Sequence, residues 1–263
     1  MNDDVNRLEI LRIDGDRAER LFDAVSRERV VKVLLGGMGF ATLTCSPKDL
    51  DCLAVGLLCA EGLIRDRDDL RSVSVDEGGT VRVETVIRES SDDDAAKLPT
   101  ADGCGKAGAS TDLMKDLKAL AVESPLAVSR SSVHPLLEEF LRSSETYGLT
   151  GAVHAAAICD ERNILVFKED ISRRNAIDKA VGDCILKGIS TDHRIMISSG
   201  RITYETVLRV ARSRIPVIIS KSAPTDLAVE LARSLEITVI GFARENRMNV
   251  YSREDRVVTD TIT

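Results

Sequence analysis

The most restrictive feature of this 263-residue chain is a rhythm in its second half. Three short apolar runs, Arg194–Ser198, Val217–Ser220 and Thr238–Phe242, alternate with two helical patterns, Thr203–Ser213 and Thr225–Leu235. Strand–helix–strand–helix–strand with short connections admits essentially one solution, a parallel sheet with right-handed crossovers. Upstream, Val153–Cys159 and Ile164–Phe167 read as two strands joined by the polar turn Asp160–Asn163. Helices are expected after Ser132, through Leu136, Leu137, Phe140 and Leu141, and again where Ala176, Ile177, Ala180, Val181, Cys184 and Ile185 share one face.

The first half is also α/β. Arg29–Leu35 and Phe40–Thr44 form a strand pair around Gly36-Gly37, and Thr80–Ile87 alternates as a half-buried strand. Between them a helix carries Leu50, Leu53, Leu57 and Leu58. Its expected start is Ser46 as cap, Pro47 in the first turn and Asp49 as the acidic partner of a capping box, with a stop at Gly62. From Arg88 to Ser110 all periodicity disappears, over a length that in compact proteins marks function or disorder. The chain therefore divides into an α/β unit over residues 1–102, a loop and connecting helix over 103–129, and a second α/β unit over 130–263.

In an open parallel sheet, ligands bind beyond the carboxyl ends of the strands. Those ends carry Ser198-Ser199-Gly200-Arg201, then Lys221-Ser222-Ala223-Pro224-Thr225, then Phe242-Ala243-Arg244-Glu245-Asn246-Arg247. Hydroxyls, helix N-termini and arginines on one rim suit a phosphate-bearing or carboxylate ligand. Read singly, Ser199 and Thr225 are helix caps and the arginines are solvated. Neither a Walker loop nor a dinucleotide glycine fingerprint is present.

A net charge of −7 argues against non-specific nucleic-acid binding, and aromatics at 3% without Trp leave no stacking platform. No apolar run is long enough to span a membrane, and the acidic N-terminus is unlike a signal peptide, so a cytoplasmic location is expected. In that reducing compartment the six cysteines are free thiols without zinc-finger spacing. Cys45, Cys52, Cys59, Cys159 and Cys184 lie in or at the ends of apolar segments, where a thiol behaves as a small hydrophobe. Cys104 lies instead in Asp102-Gly103-Cys104-Gly105-Lys106-Ala107-Gly108. Flanking glycines allow close approach to its sulfur, and Lys106 favours thiolate. An incidental loop cysteine would look the same in composition.

Seven ordered blocks resemble the formate dehydrogenase accessory sulfurtransferase (FdhD/NarQ) family: 45–64 (CSPKDLDCLAVGLLCAEGLI), 103–108 (GCGKAG), 150–158 (TGAVHAAAI), 169–182 (EDISRRNAIDKAVG), 198–205 (SSGRITYE), 222–232 (SAPTDLAVELA) and 241–252 (GFARENRMNVYS). The resemblance implies a smaller N-terminal α/β domain and a C-terminal three-layer α/β domain similar to the cytidine deaminase fold. It implies a sulfur carrier that accepts persulfide from a cysteine desulfurase on Cys104. The sulfur would pass to the molybdenum (or tungsten) bis-guanine-dinucleotide cofactor of formate dehydrogenase. Phe242, Ala243, Arg244, Glu245, Asn246 and Arg247 would bind that cofactor, and the protein would be a homodimer. The alternative is a chaperone that carries the cofactor without moving sulfur. The family loop often holds a second, earlier cysteine, here Ala101, so no relay between two loop thiols exists. The family's Gly-Arg-His reads Ser172-Arg173-Arg174 here. A zinc deaminase is not expected: after His154 the required glutamate is Ala156, and no Pro-Cys-x-x-Cys follows.

Overall fold

A computed structural model of the chain describes residues 3–86, 117–244 and 247–258. Cys104, its loop, Glu245 and Asn246 lie outside the described residues.

The chain opens on an antiparallel hairpin, β1 (Val5–Asp14) and β2 (Arg17–Ser26). A four-stranded sheet in the order β4-β3-β6-β5 follows, from β3 (Arg29–Leu35), β4 (Met38–Cys45), β5 (Leu70–Val75) and β6 (Val81–Thr85). Gly36 and Gly37 turn β3 into β4 with φ of +56° and +79°, the left-handed values that a two-residue hairpin loop demands. Helix α1 (Leu50–Ala60) lies against this sheet, nearly all of its residues buried.

The second sheet has six strands in the order β13-β12-β11-β10-β8-β9. Its strands are β8 (His154–Cys159), β9 (Ile164–Asp170), β10 (Ile195–Ser198), β11 (Val217–Ser220), β12 (Thr238–Arg244) and β13 (Arg247–Ser252). The expected parallel run is β10–β11–β12; β8, β9 and β13 add antiparallel neighbours. Helices α4 (Arg173–Lys187), α5 (Tyr204–Arg212) and α6 (Asp226–Ser234) lie toward the first sheet, and α2 (Arg130–Arg142) covers the opposite face. Alternation along the strands serves both layers. Ala156, Ile158, Met196, Ile218 and Val239 join the core with α4–α6, whereas Ala155, Ala157, Ile195, Ile197 and Ile219 join the core with α2. A short pair, β7 (Val128–Ser129) with β14 (Val257–Val258), helix α3 (Glu145–Thr150) and two 3-10 turns, Arg67–Asp69 and Glu254–Arg256, are also described.

One hydrophobic core runs from Val31 and Val33 of the first sheet through α1 to Val239 of the second. Its tightest seam is the α1–α4 crossing. A Cβ on Gly56 would stand 1.7 Å from the Asp178 carbonyl oxygen, and one on Gly182 would stand 1.9 Å from that of Cys52. The two backbones touch, which only glycine permits.

The expected capping box before α1 does not form. The helix begins at Leu50, preceded by Asp49 in the left-handed region with no side-chain cap. Ser46 instead accepts from the Ile171 amide at 3.1 Å, and Asp49 pairs with Lys168 at 3.0 Å. Contacts with the second sheet outbid the local cap.

Candidate functional site

The carboxyl ends of β10, β11 and β12 are bound to one another. The Ser199 amide donates to the Ala155 carbonyl, and the Ser199 hydroxyl oxygen accepts from the Ala155 amide, both at 3.0 Å. This holds the hydroxyl 3.2 Å from His154 Nδ1. Ser220 Oγ donates to the Gly200 carbonyl at 2.7 Å and accepts from the Ser222 amide at 3.0 Å. The Ile202 amide reaches the Ala223 carbonyl at 3.1 Å, and the Thr225 amide reaches the Ile202 carbonyl at 2.9 Å. Thr225 also caps α6, accepting from the Ala228 amide, as its bland reading has it; Ser199 caps nothing and belongs to the rim.

Over this rim opens a cleft of about 670 Å³ lined by His154, Ile171–Arg174, Ser199, Gly200, Arg201 and Ser222. Three arginines thus face one hollow, two from the first turn of α4 and one from the β10 rim. Arg174 stands 3.7 Å from Glu205. Burial, and then the charge of Arg201, hold Arg173 below the ordinary arginine value. Its Nε is buried without a hydrogen-bond partner among the described residues. Its chain crosses the β10 rim so closely that a Cβ on Gly200 would lie 2.2 Å from Arg173 Cδ. His154 is pushed below its ordinary value by burial and then by Arg173, so it is neutral near pH 7. Arginines gathered at one hollow, one of them with a buried Nε left unbonded among the described residues, make an arrangement suited to an anion.

The first turn of α4 is fixed from beneath. Asp170, at the end of β9, pairs with Lys179 at 2.7 Å with both side chains fully buried. Asp170 accepts from the Ser46 and Ser172 amides and from Asn175 Nδ2, while Lys179 donates to the Ser46 carbonyl. Every partner of this ion pair is satisfied, so it sets position rather than adding net stability.

The structure thus brings together Ser199, Arg201, Ser222 and His154. Sequence reasoning missed Arg173 as a lining residue. The signal was present, since Ser172-Arg173-Arg174 opens a helix, but the distance from residue 173 to residue 201 hid their meeting. Of the segment 242–247, Phe242, Ala243 and Arg244 end β12 and Arg247 opens β13. The Phe242 amide donates to the Ser222 carbonyl at 3.0 Å, and Phe242 takes a φ of +50°, a strained value for an aromatic residue. Ala243 is buried; Arg244 and Arg247 are exposed and stand opposite one another in the β12–β13 register.

The five described cysteines are all buried. Burial is the largest cause in each case, and it pushes Cys45 and Cys59 up to about 11, Cys159 and Cys184 up to about 12, and Cys52 upward as well. Thiolate, the reactive form, is scarce at all five near pH 7.

The model of the FdhD/NarQ family matches residues 26–258. The chain belongs to the FdhD/NarQ family. Among curated relatives of this FdhD/NarQ chain, the sulfur carrier protein FdhD of Bacillus subtilis (strain 168) is 36% identical, covering 98% of this chain and 99% of its own. That of Staphylococcus aureus (strain Newman) is 34% identical and covers 98% of each. The fold matches a crystal structure from Desulfotalea psychrophila, described as a formate dehydrogenase accessory protein. Its TM-score is 0.81 at 23% identity, over 97% of this chain and 99% of that one. Among the described residues of this FdhD/NarQ chain, no helix is long and apolar enough to cross a membrane.

Proposed function

We propose that this chain is a sulfur carrier with Cys104 as its sulfur-bearing residue. In this reading the Cys104 thiolate attacks the terminal sulfur of a cysteine desulfurase persulfide. A new S–S bond forms on Cys104, the donor's S–S bond breaks, and the donor cysteine leaves as thiolate. Carrier and donor exchange a sulfane sulfur with no net redox change. The sulfur is then delivered to the molybdenum (or tungsten) bis-guanine-dinucleotide cofactor, which is cargo here, for use by formate dehydrogenase.

Exclusion carries the assignment. Of six cysteines, five are buried with raised pKa values, which leaves Cys104, between glycines and beside Lys106, for exchange chemistry. The arginine cleft suits the other partner. Pyrophosphate oxygens suit the Arg173 Nε, unbonded among the described residues, with Arg174 and Arg201 beside it and the exposed Arg244 and Arg247 at the ends of β12 and β13. Phe242–Arg247 together with that cleft is the proposed cofactor site.

The test is intact-protein mass after incubation with a cysteine desulfurase and cysteine. Wild type gains one sulfur atom, reversed by reductant, and Cys104→Ala gains none while still binding guanosine diphosphate. An unlabelled wild type that still activates formate dehydrogenase would identify the protein as a cofactor chaperone that moves no sulfur.

A further inference from the structure

The arginine cleft supplies cations for phosphate, but no Phe, Tyr or Trp lines it, so nothing in it takes the flat part of a nucleotide. Such a ring stands just outside. Tyr147 of α3 is 51% exposed, and the Lys221 ammonium lies over its face, 5.9 Å from the centroid. Lys221 follows β11 directly and precedes Ser222, which lines the cleft. The ring is therefore one lysine side chain away from the cleft wall.

Backbone bonds tie α3 to the same end of the sheet. Glu169 of β9 accepts from the Ser144 hydroxyl and from the Thr146 and Tyr147 amides, the last two at 3.3 Å. The cross-strand partner of Glu169 is Ala155, whose amide holds Ser199 on the rim. Tyr147 is thus anchored to the strands that form the rim while half of its surface stays open. The other two tyrosines differ, since Tyr204 and Tyr251 are partly buried against the central core. An exposed phenol is ordinary by itself. What sets this one apart is its cation: among the described residues Lys221 has no carboxylate partner and rests on the ring instead. An exposed cation–π contact is weaker than a base stacked on an aromatic face, so a flat ring displaces the ammonium. Once displaced, the ammonium lies beside the rim, where it adds to the charge facing a phosphate.

We infer that Tyr147 and Lys221 form a heterocycle subsite at the edge of the arginine cleft, in which a fused ring lies on the Tyr147 face and Lys221 turns to the phosphate attached to it. The inference rests on the cofactor-binding reading above and names the residue that takes the flat part of that cargo. Its ligand class is a diphosphate ester of a fused amino-oxo-pyrimidine ring, the chemistry that guanine and pterin share. One tyrosine is too few for a strand of nucleic acid, in keeping with the net charge of −7, but is enough for one base. Stacking reads a π face and not its hydrogen-bonding edge, so Tyr147 adds affinity for the ring while the arginines add affinity for any diphosphate.

Calorimetric titration of the full chain with guanosine diphosphate, hydroxymethylpterin diphosphate and inorganic pyrophosphate separates the two contributions. Wild type should bind at least one ring-bearing probe more tightly than pyrophosphate. Tyr147→Ala should weaken that probe about five- to hundredfold, the range for loss of one stacked base, and leave pyrophosphate unchanged. Tyr147→Phe, which keeps the π face, should bind as wild type does. The probe that loses affinity tells guanine from pterin. A Tyr147→Ala protein that binds all three as wild type does overturns the inference and leaves the cofactor-binding reading standing; a wild type that binds none of the three overturns both. Nuclear magnetic resonance of isotope-labelled tyrosine in the wild type decides the matter if Tyr147→Ala fails to fold, with the Tyr147 signal assigned as the one lost in Tyr147→Phe. A ring-current displacement of that signal by a ring-bearing probe and not by pyrophosphate supports the subsite, and no displacement overturns it.

Discussion

At the scale of single residues, the cleft depends on one side chain lying where only a glycine lets it lie. Arg173 crosses the β10 rim over Gly200, and its buried Nε has no partner among the described residues. Losing the hydrogen bonds of one guanidinium to an anion costs about 1.5–3 kcal/mol, roughly ten- to hundredfold in affinity. Arg173→Ala should therefore weaken guanosine diphosphate binding by that factor in a calorimetric titration. Gly200→Ala, which keeps the arginine but displaces it, should show a loss of the same sign with the fold retained. A Gly200→Ala protein that binds as wild type does would mean that the position of Arg173 over the rim is irrelevant to the ligand. Residue chemistry was partly legible beforehand. Ser199, Arg201 and Ser222 were placed on the rim because strand order dictates which loops converge. Arg173 was not, because its meeting with Gly200 is a tertiary contact between segments that share no local signal.

At the scale of elements, local patterns gave good account of themselves where burial and periodicity agreed. β3, β11 and the helices α5 and α6 begin and end within a residue or so of their expected bounds. The start of α1 was misread because Ser46, Pro47 and Asp49 look like a cap, while Asp170 and Lys179, over a hundred positions later, take Ser46 into a buried network. The β1–β2 hairpin escaped notice altogether. Its alternation is blurred by apolar residues on both faces, and its one plain signal is Gly15 at the turn, with φ +58°. The α1–α4 crossing makes the firmest prediction at this scale. Gly182→Ala forces apart two helices whose backbones touch, at the upper end of overpacking costs, about 3 kcal/mol. The intrinsic helix gain of about 1 kcal/mol for alanine over glycine offsets only part of this. Urea unfolding should show the midpoint fall accordingly; an unchanged midpoint would mean that the seam carries no such contact.

At the scale of the whole molecule, the continuous core from Val31 to Val239 ties both sheets to the α1–α4 seam. Both halves should therefore unfold together, as a single calorimetric transition whose van't Hoff and calorimetric enthalpies agree when Cys104 is unmodified. Two separated transitions would mean that the seam does not couple them. The same seam sets the cleft, since the first turn of α4 is fixed by the Asp170–Lys179 pair through Ser46, just past β4, and by Asn175, which donates to the Thr44 carbonyl of β4. What the amino-acid sequence determined unaided was the alternation of strands and helices, the parallel run β10–β12 and hence which loops meet at one end of the sheet. These follow from periodicity and from the handedness of the crossover, both local properties of the chain. Which arginines share the cleft, which cysteines are sealed in the core and which hairpin is left uncovered were decided only by tertiary packing. Burial and charge proximity are properties of neighbours in space, and no local pattern encodes those.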